Sequence, residues 1–212
     1  MTETKVWVDT PFKLISSSKS GAELGKEPKG AQKLGCEMTI VHNNILCGLN
    51  AGSPKDKLEF ANFAYAWAMV LKEHHCVEEE RVFPLINSLA VPGLMDGDVA
   101  EHQEFHDGFE VYLEYTDKLR GGNEELDGDK LTSIIDSFGP VLREHLEHEI
   151  DTPLALEKYS DKTDEFPMTI ILHDKTFDGG MWQHFPPILW RKDWWRFSGC
   201  DFTSQPQKLP FA

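Results

Sequence analysis

Nine histidines stand in a chain of 212 residues, and seven of them fall within four stretches of helical periodicity. His42 stands alone, His75 is followed four residues later by Glu79, His102 by His106, and His145 by Glu149. Residues four apart share a helix face, so each pair can aim two side chains at one point or at two neighbouring points. Neutral imidazole and carboxylate are ligands for iron, manganese or zinc. Five imidazoles with two carboxylates suit two first-row ions, the oxygens bridging and the nitrogens capping, with an open position left for a small ligand. Each piece alone has a plainer reading. A lone His42 on an apolar face is more often a hydrogen-bonded core residue. Glu78-Glu79-Glu80 alone is an ordinary surface run. His74 and Glu78 compete with His75 and Glu79, one step around the helix. The pair His102 and His106 is a natural chelate. The combination decides the matter, because buried carboxylates without partners are costly and five interior histidines with two glutamates are hard to justify as packing.

The elements that must position these groups follow from apolar periodicity. In residues 33–50, Met38, His42, Ile45 and Leu49 share a face. Gly52 stops that helix, and Ser53-Pro54 starts the next as a cap followed by Pro at the first helical position. Residues 54–87 carry the stripe Ala61, Ala64, Ala68, Leu71, His75, Glu79, Val82 and Ile86, with Pro84 expected to kink or end the helix. Residues 98–119 carry Val99, His102, His106, Phe109 and Leu113. Residues 130–159 carry Leu131, Ile134, Phe138, Leu142, His145 and Glu149, with bends expected at Gly139-Pro140 and Pro153. Four such segments with short breakers predict an all-α fold, an antiparallel up-down-up-down four-helix bundle over residues 31–160. Residues 1–30 read as an extended arm. Residues 161–212 read as a C-terminal extension whose tryptophans Trp182, Trp190, Trp194 and Trp195 wrap the bundle.

Three strings resemble the hemerythrin-like (HHE cation-binding) family. His74-His75-Cys76-Val77-Glu78-Glu79-Glu80-Arg81-Val82-Phe83-Pro84 resembles its HHxxEExxLFP. Glu101-His102-Gln103-Glu104-Phe105-His106-Asp107-Gly108-Phe109 is similar to its EHxxxHDGF. His145-Leu146-Glu147-His148-Glu149-Ile150 is similar to its HLxxEI. His42 falls where the first-helix ligand is expected, and the agreement covers about residues 35–155. The resemblance implies a four-helix bundle holding two Fe ions in an oxo- or carboxylate-bridged non-haem di-iron centre that meets O₂. Carried over by position, the ligands are His42, His75, Glu79, His102, His106, His145 and Glu149, with Glu79 and Glu149 bridging. His75 is preferred to His74 because Glu79 stands where the family's glutamate precedes Val82-Phe83. One position departs: oxygen carriers place Asp five after the last His, where this chain has Ile150, so Glu149 must serve at plus four. The Trp-Arg-Phe and Leu-Pro-Phe endings resemble those of fungal members.

Composition sets the frame. Hydrophobic residues are 40% and charged residues 27% of the chain, a globular balance. The formal charge of −15 argues against nucleic acid or an anionic membrane as partner. Four cysteines without a CxxC motif argue against a disulfide scaffold and a thiolate zinc site. No signal peptide or membrane-spanning run is visible, which predicts a cytoplasmic setting. The expected function is a di-iron protein for O₂, peroxide or a related small ligand, in oxygen handling, iron binding or sensing. Manganese and zinc rank below iron. A di-iron oxidase or oxygenase of a small organic substrate is the alternative, and a structural module with another metal or none ranks third.

Overall fold

A computed structural model describes residues 11–16, 30–50 and 57–156. The expected cap at Ser53-Pro54 and the tryptophan-rich extension lie outside the described residues. Among the described residues, the regular structure is helical throughout: α1 Gly30–Leu49, α2 Lys57–Val77, a π-helical turn Glu78–Val82, α3 Phe83–Leu89, α4 Asp96–Arg120 and α5 Gly128–Ala155.

Local chemistry explains the boundaries. The π-helical turn ends two residues before Pro84, which lacks the N–H that would bond the carbonyl four residues back. The backbone widens there instead, and the Phe83 N–H donates to the Glu78 carbonyl, five residues back. α4 opens on Asp96 and Asp98 and closes on Lys118 and Arg120, the order that its dipole favours. At the start of α5 the Asp127 carboxylate accepts from the N–H groups of Asp129 (2.9 Å) and Lys130 (3.1 Å). α5 then runs unbroken through Gly139-Pro140, where the sequence predicts a bend.

The helices enclose one core. α4 packs on α5 and on α2, and α1 packs on α5 and, more lightly, on α2. Leu46, Leu71, Phe138, Leu142, Leu146 and Ile150 are fully buried at its centre. Trp67 donates from Nε1 to the Ile45 carbonyl at 3.0 Å, which ties α2 to α1. A Cβ on Gly108 would lie 2.8 Å from the Phe138 Cβ, so glycine there lets α4 and α5 approach closely. This close approach sits about one and two-thirds turns of α4 beyond His102.

Residues 11–16 lie along α1. Two buried asparagines hold their backbone: Asn50 accepts from the Phe12 N–H (3.0 Å) and donates to the Phe12 carbonyl (2.7 Å). Asn43 does the same for Ile15, at 2.7 and 3.2 Å. Seven residues of helix rise about 10.5 Å, and three extended residues span about 10 Å, so the two amides match the strand-like rhythm of the arm. The Phe12 ring fills the space where a Gly139 side chain would be, and the Arg143 guanidinium donates to the Lys13 carbonyl.

Candidate metal centre

The four long helices and the π-helical turn send donors to one interior volume. His42 comes from α1, His74 and His75 from α2, Glu78 from the π-helical turn, His102 from α4, and His145 and Glu149 from α5. Their ligand atoms form two groups, each with all atoms within 4.8 Å of one another: His42, His74, Glu78 and Glu149 in one, His75, His102 and His145 in the other. The two carboxylates join the groups. Glu149 Oε2 is 3.4 Å from His42 Nε2 and 3.5 Å from His145 Nε2. Glu78 Oε1 is 3.1 Å from His74 Nε2, and its Oε2 is 3.9 Å from His102 Nε2. The adjacent residues His74 and His75 serve opposite sides. The His74 ring lies 5.2 Å from that of His42, and the His75 ring lies 4.3 Å from that of His102.

The inward atoms of this cluster face one another without a hydrogen bond. Among the described residues, ten buried side-chain nitrogen and oxygen atoms make no hydrogen bond, and nine belong here: Nε2 of His42, His74, His75, His102 and His145, and both oxygens of Glu78 and Glu149. Native interiors do not leave such atoms without a partner unless something else satisfies them. On three of the imidazoles the other nitrogen is engaged. Nδ1 of His42 meets the Leu146 carbonyl at 2.6 Å, that of His102 meets Glu79 Oε1 at 2.7 Å, and that of His145 meets Glu101 Oε2 at 3.1 Å. An acceptor at Nδ1 places the proton there and turns the Nε2 lone pair inward, the arrangement of a metal-ligating histidine. The donor set therefore fits a cation, and its mixture of imidazole and carboxylate suits first-row ions.

Electrostatics agree. Burial, followed by the neighbouring imidazoles, lowers His74 to about 3 and holds His75 well below its ordinary value. Burial lowers His145 to about 4. These rings are neutral at neutral pH and their lone pairs are free to coordinate. Burial and then the adjacent Glu149 push Glu78 well above the usual carboxylate range. Burial also opposes the Glu149 charge, but His42, His145 and His74 outweigh it and bring that group to about 2. Asp98, buried near Glu149 with its oxygens 3.4 Å from the Thr152 hydroxyl, is raised to about 7 by burial, Glu149 and Glu101.

Of the seven donors expected from sequence, the structure brings together His42, His75, His102, His145 and Glu149, and leaves Glu79 and His106 outside. The His106 side chain is 53% exposed and faces Asp107, and Glu79 lies behind His102, on the side away from the cluster. His74 and Glu78 take inward places beside His75. The reason is helical phase. The α2 stripe Ala61, Ala64, Ala68, Leu71 and His75 steps alternately by three and four, and the same rhythm continues to Glu78 and Val82. In α4 the buried face runs Asp98, His102, Phe105, Phe109, Tyr112, Thr116 and Leu119 by the same alternation, so Phe105 occupies the position expected of His106. That alternation was present in the sequence and finds Glu78 and Phe105; His74 lies off it, one residue before His75, and turns its ring toward that of His42.

Residues 41–152 match the family model described as Hemerythrin HHE cation binding domain, a span that contains all seven inward donors. The chain is 27% identical over 249 aligned positions, covering 98% of this chain and 94% of the relative, to the Dimeric xanthone biosynthesis cluster protein R11 of Cryptosporiopsis sp. (strain 8999). No solved structure matches it.

Proposed function

The chain belongs to the hemerythrin HHE cation-binding family, and from that premise we propose that it is a non-haem di-iron protein that binds O₂ or a related small ligand. The observation that carries this reading is the set of nine unpartnered inward atoms, divided into two groups and linked by two carboxylates. His42, His74, Glu78 and Glu149 would hold one iron, and His75, His102 and His145 the other, with Glu78 and Glu149 shared between them. When bound, the irons supply redox chemistry and an open coordination position for a small ligand. The chain's own contribution is to hold the imidazoles of His74, His75 and His145 neutral, to fix those of His42, His102 and His145 through Nδ1, and to exclude water with the rings of Phe83 and Phe105, 5.7 and 5.9 Å from that of His102. An antiparallel course of the helices and a cytoplasmic setting belong to the same reading. The pairing of Asp98 with Thr152 and of Glu101 with His145 supports the former. No described helix is long and apolar enough to cross a membrane.

Protein purified without chelator is expected to carry about two irons per chain and to lose stability when they are removed. Metal-free protein as stable as the iron-loaded form overturns the reading. A second reading, an oxidase or oxygenase of a small organic substrate, is favoured by one observation: the Cryptosporiopsis relative is named for a dimeric xanthone biosynthesis cluster. Substrate-dependent O₂ consumption decides for the enzyme, and reversible oxygenation without turnover decides for the carrier.

A further inference from the structure

The two groups of donors are unequal in charge. One contains both buried carboxylates, whereas the other consists of three imidazoles and has no carboxylate of its own. Two divalent ions bring four positive charges into the interior, and Glu78 with Glu149 returns only two negative ones. An unbalanced buried charge is costly, so the three-histidine half needs a compensating charge close by. The structure supplies it one layer out. Glu79 accepts from His102 Nδ1 at 2.7 Å, and Glu101 accepts from His145 Nδ1 at 3.1 Å. The other oxygen of Glu101 meets Nδ1 of the exposed His148 at 3.2 Å, which holds the carboxylate in place. By contrast, His42 in the carboxylate-containing half is anchored by a neutral backbone carbonyl, that of Leu146. Of the three histidines anchored through Nδ1, the two held by carboxylates thus stand in the half that has no carboxylate beyond the two it shares.

We propose that Glu79 and Glu101 are positioning residues that complete the charge balance of a three-histidine ion site formed by His75, His102 and His145. The proposal rests on the two-ion reading above. It gives Glu79 a different role from that of a bridging ligand: it acts on the ion through His102. Carboxylate-anchored imidazoles are stronger donors than carbonyl-anchored ones, and the loss of such a partner typically weakens metal binding by about 10- to 100-fold.

The test is a titration of metal-free protein with Co²⁺, followed by its visible absorption, for the wild type, Glu79→Gln, Glu101→Gln and the double variant. Gln keeps an oxygen that can accept from Nδ1 and removes the charge. Wild type is expected to take two Co²⁺. The double variant is expected to bind the first with an unchanged spectrum and an affinity within about threefold, and to bind the second at least about 10-fold more weakly. Glu104→Gln, which removes an exposed carboxylate of α4, is expected to leave both ions unaltered. Equal weakening of both ions, an unaffected second ion, or the same loss in Glu104→Gln overturns the proposal. The urea midpoints of the metal-free variants report folding separately, and a drop in those midpoints that accounts for the lost ion also counts against it. Wild type that takes fewer than two Co²⁺ overturns the two-ion reading itself, and the proposal with it.

Discussion

An imidazole can give an ion only one nitrogen, so what holds the other decides whether it is a good ligand. His42, His102 and His145 have that second nitrogen engaged, whereas His106 has only a neighbouring exposed Asp107 at 3.4 Å. His106→Ala is therefore expected to leave metal content at about two ions per chain, while Glu78→Ala, which removes a linking carboxylate, is expected to cost at least one, both read by elemental analysis. A reversed result would restore the donor set that the HxxxH spacing suggests. The histidines of α1, α4 and α5 that face the interior, and Glu149, were legible because each lies on an unambiguous apolar stripe. Glu78 and Glu79 were not separable by a stripe drawn with steps of four, since both flank the inward direction. Only the alternating step of three and four, and the backbone widening ahead of Pro84, bring Glu78 in.

The elements carry their own tests. Gly108 lies where α4 meets α5, and a methyl there would sit 2.8 Å from both the Phe138 Cβ and the Ser137 Oγ. Gly108→Ala is expected to lower stability by about 1–3 kcal/mol, the usual cost of overpacking, measured as a shift of the urea midpoint at unchanged m-value. The amide of Asn50 makes two buried hydrogen bonds to Phe12, and Asn50→Ala leaves that backbone N–H and carbonyl without these partners. The expected loss is about 2 kcal/mol by the same measurement. The helices themselves were readable from hydrophobic period alone. The docking of residues 11–16 was not, because Phe12, Leu14 and Ile15 form too short an apolar run to show a helical or strand period, and the asparagines that receive them look like ordinary polar helix residues until the arm is in place.

At the scale of the whole molecule, the buried ionisable groups set the response to acid. His74, His75 and His145 have folded values below their ordinary 6.5, so the unfolded chain takes up protons first as pH falls below about 6.5, and stability drops. Glu78 and Asp98, raised by burial, act in the opposite sense: they contribute stability below the ordinary carboxylate range and lose it as pH rises, through about 7 for Asp98. Three groups against two leave a net loss on acidification from pH 6 to pH 5, on the order of 1 kcal/mol per pH unit for the metal-free protein. Urea midpoints that rise over that interval would contradict it. Bound ions add to stability by mass action, about 4 kcal/mol for each site held at a thousandfold excess over its Kd. One further consequence lies in the arm. Asn43 and Asn50 grip only main-chain atoms, and Arg143 likewise reaches a carbonyl. The groove that receives the arm therefore reads spacing at five backbone groups and shape at the buried Phe12 and Ile15 and the partly buried Leu14. The exposed Lys13 between them offers only its carbonyl, so substitutions there should drift freely while an insertion of a single residue should unseat the arm.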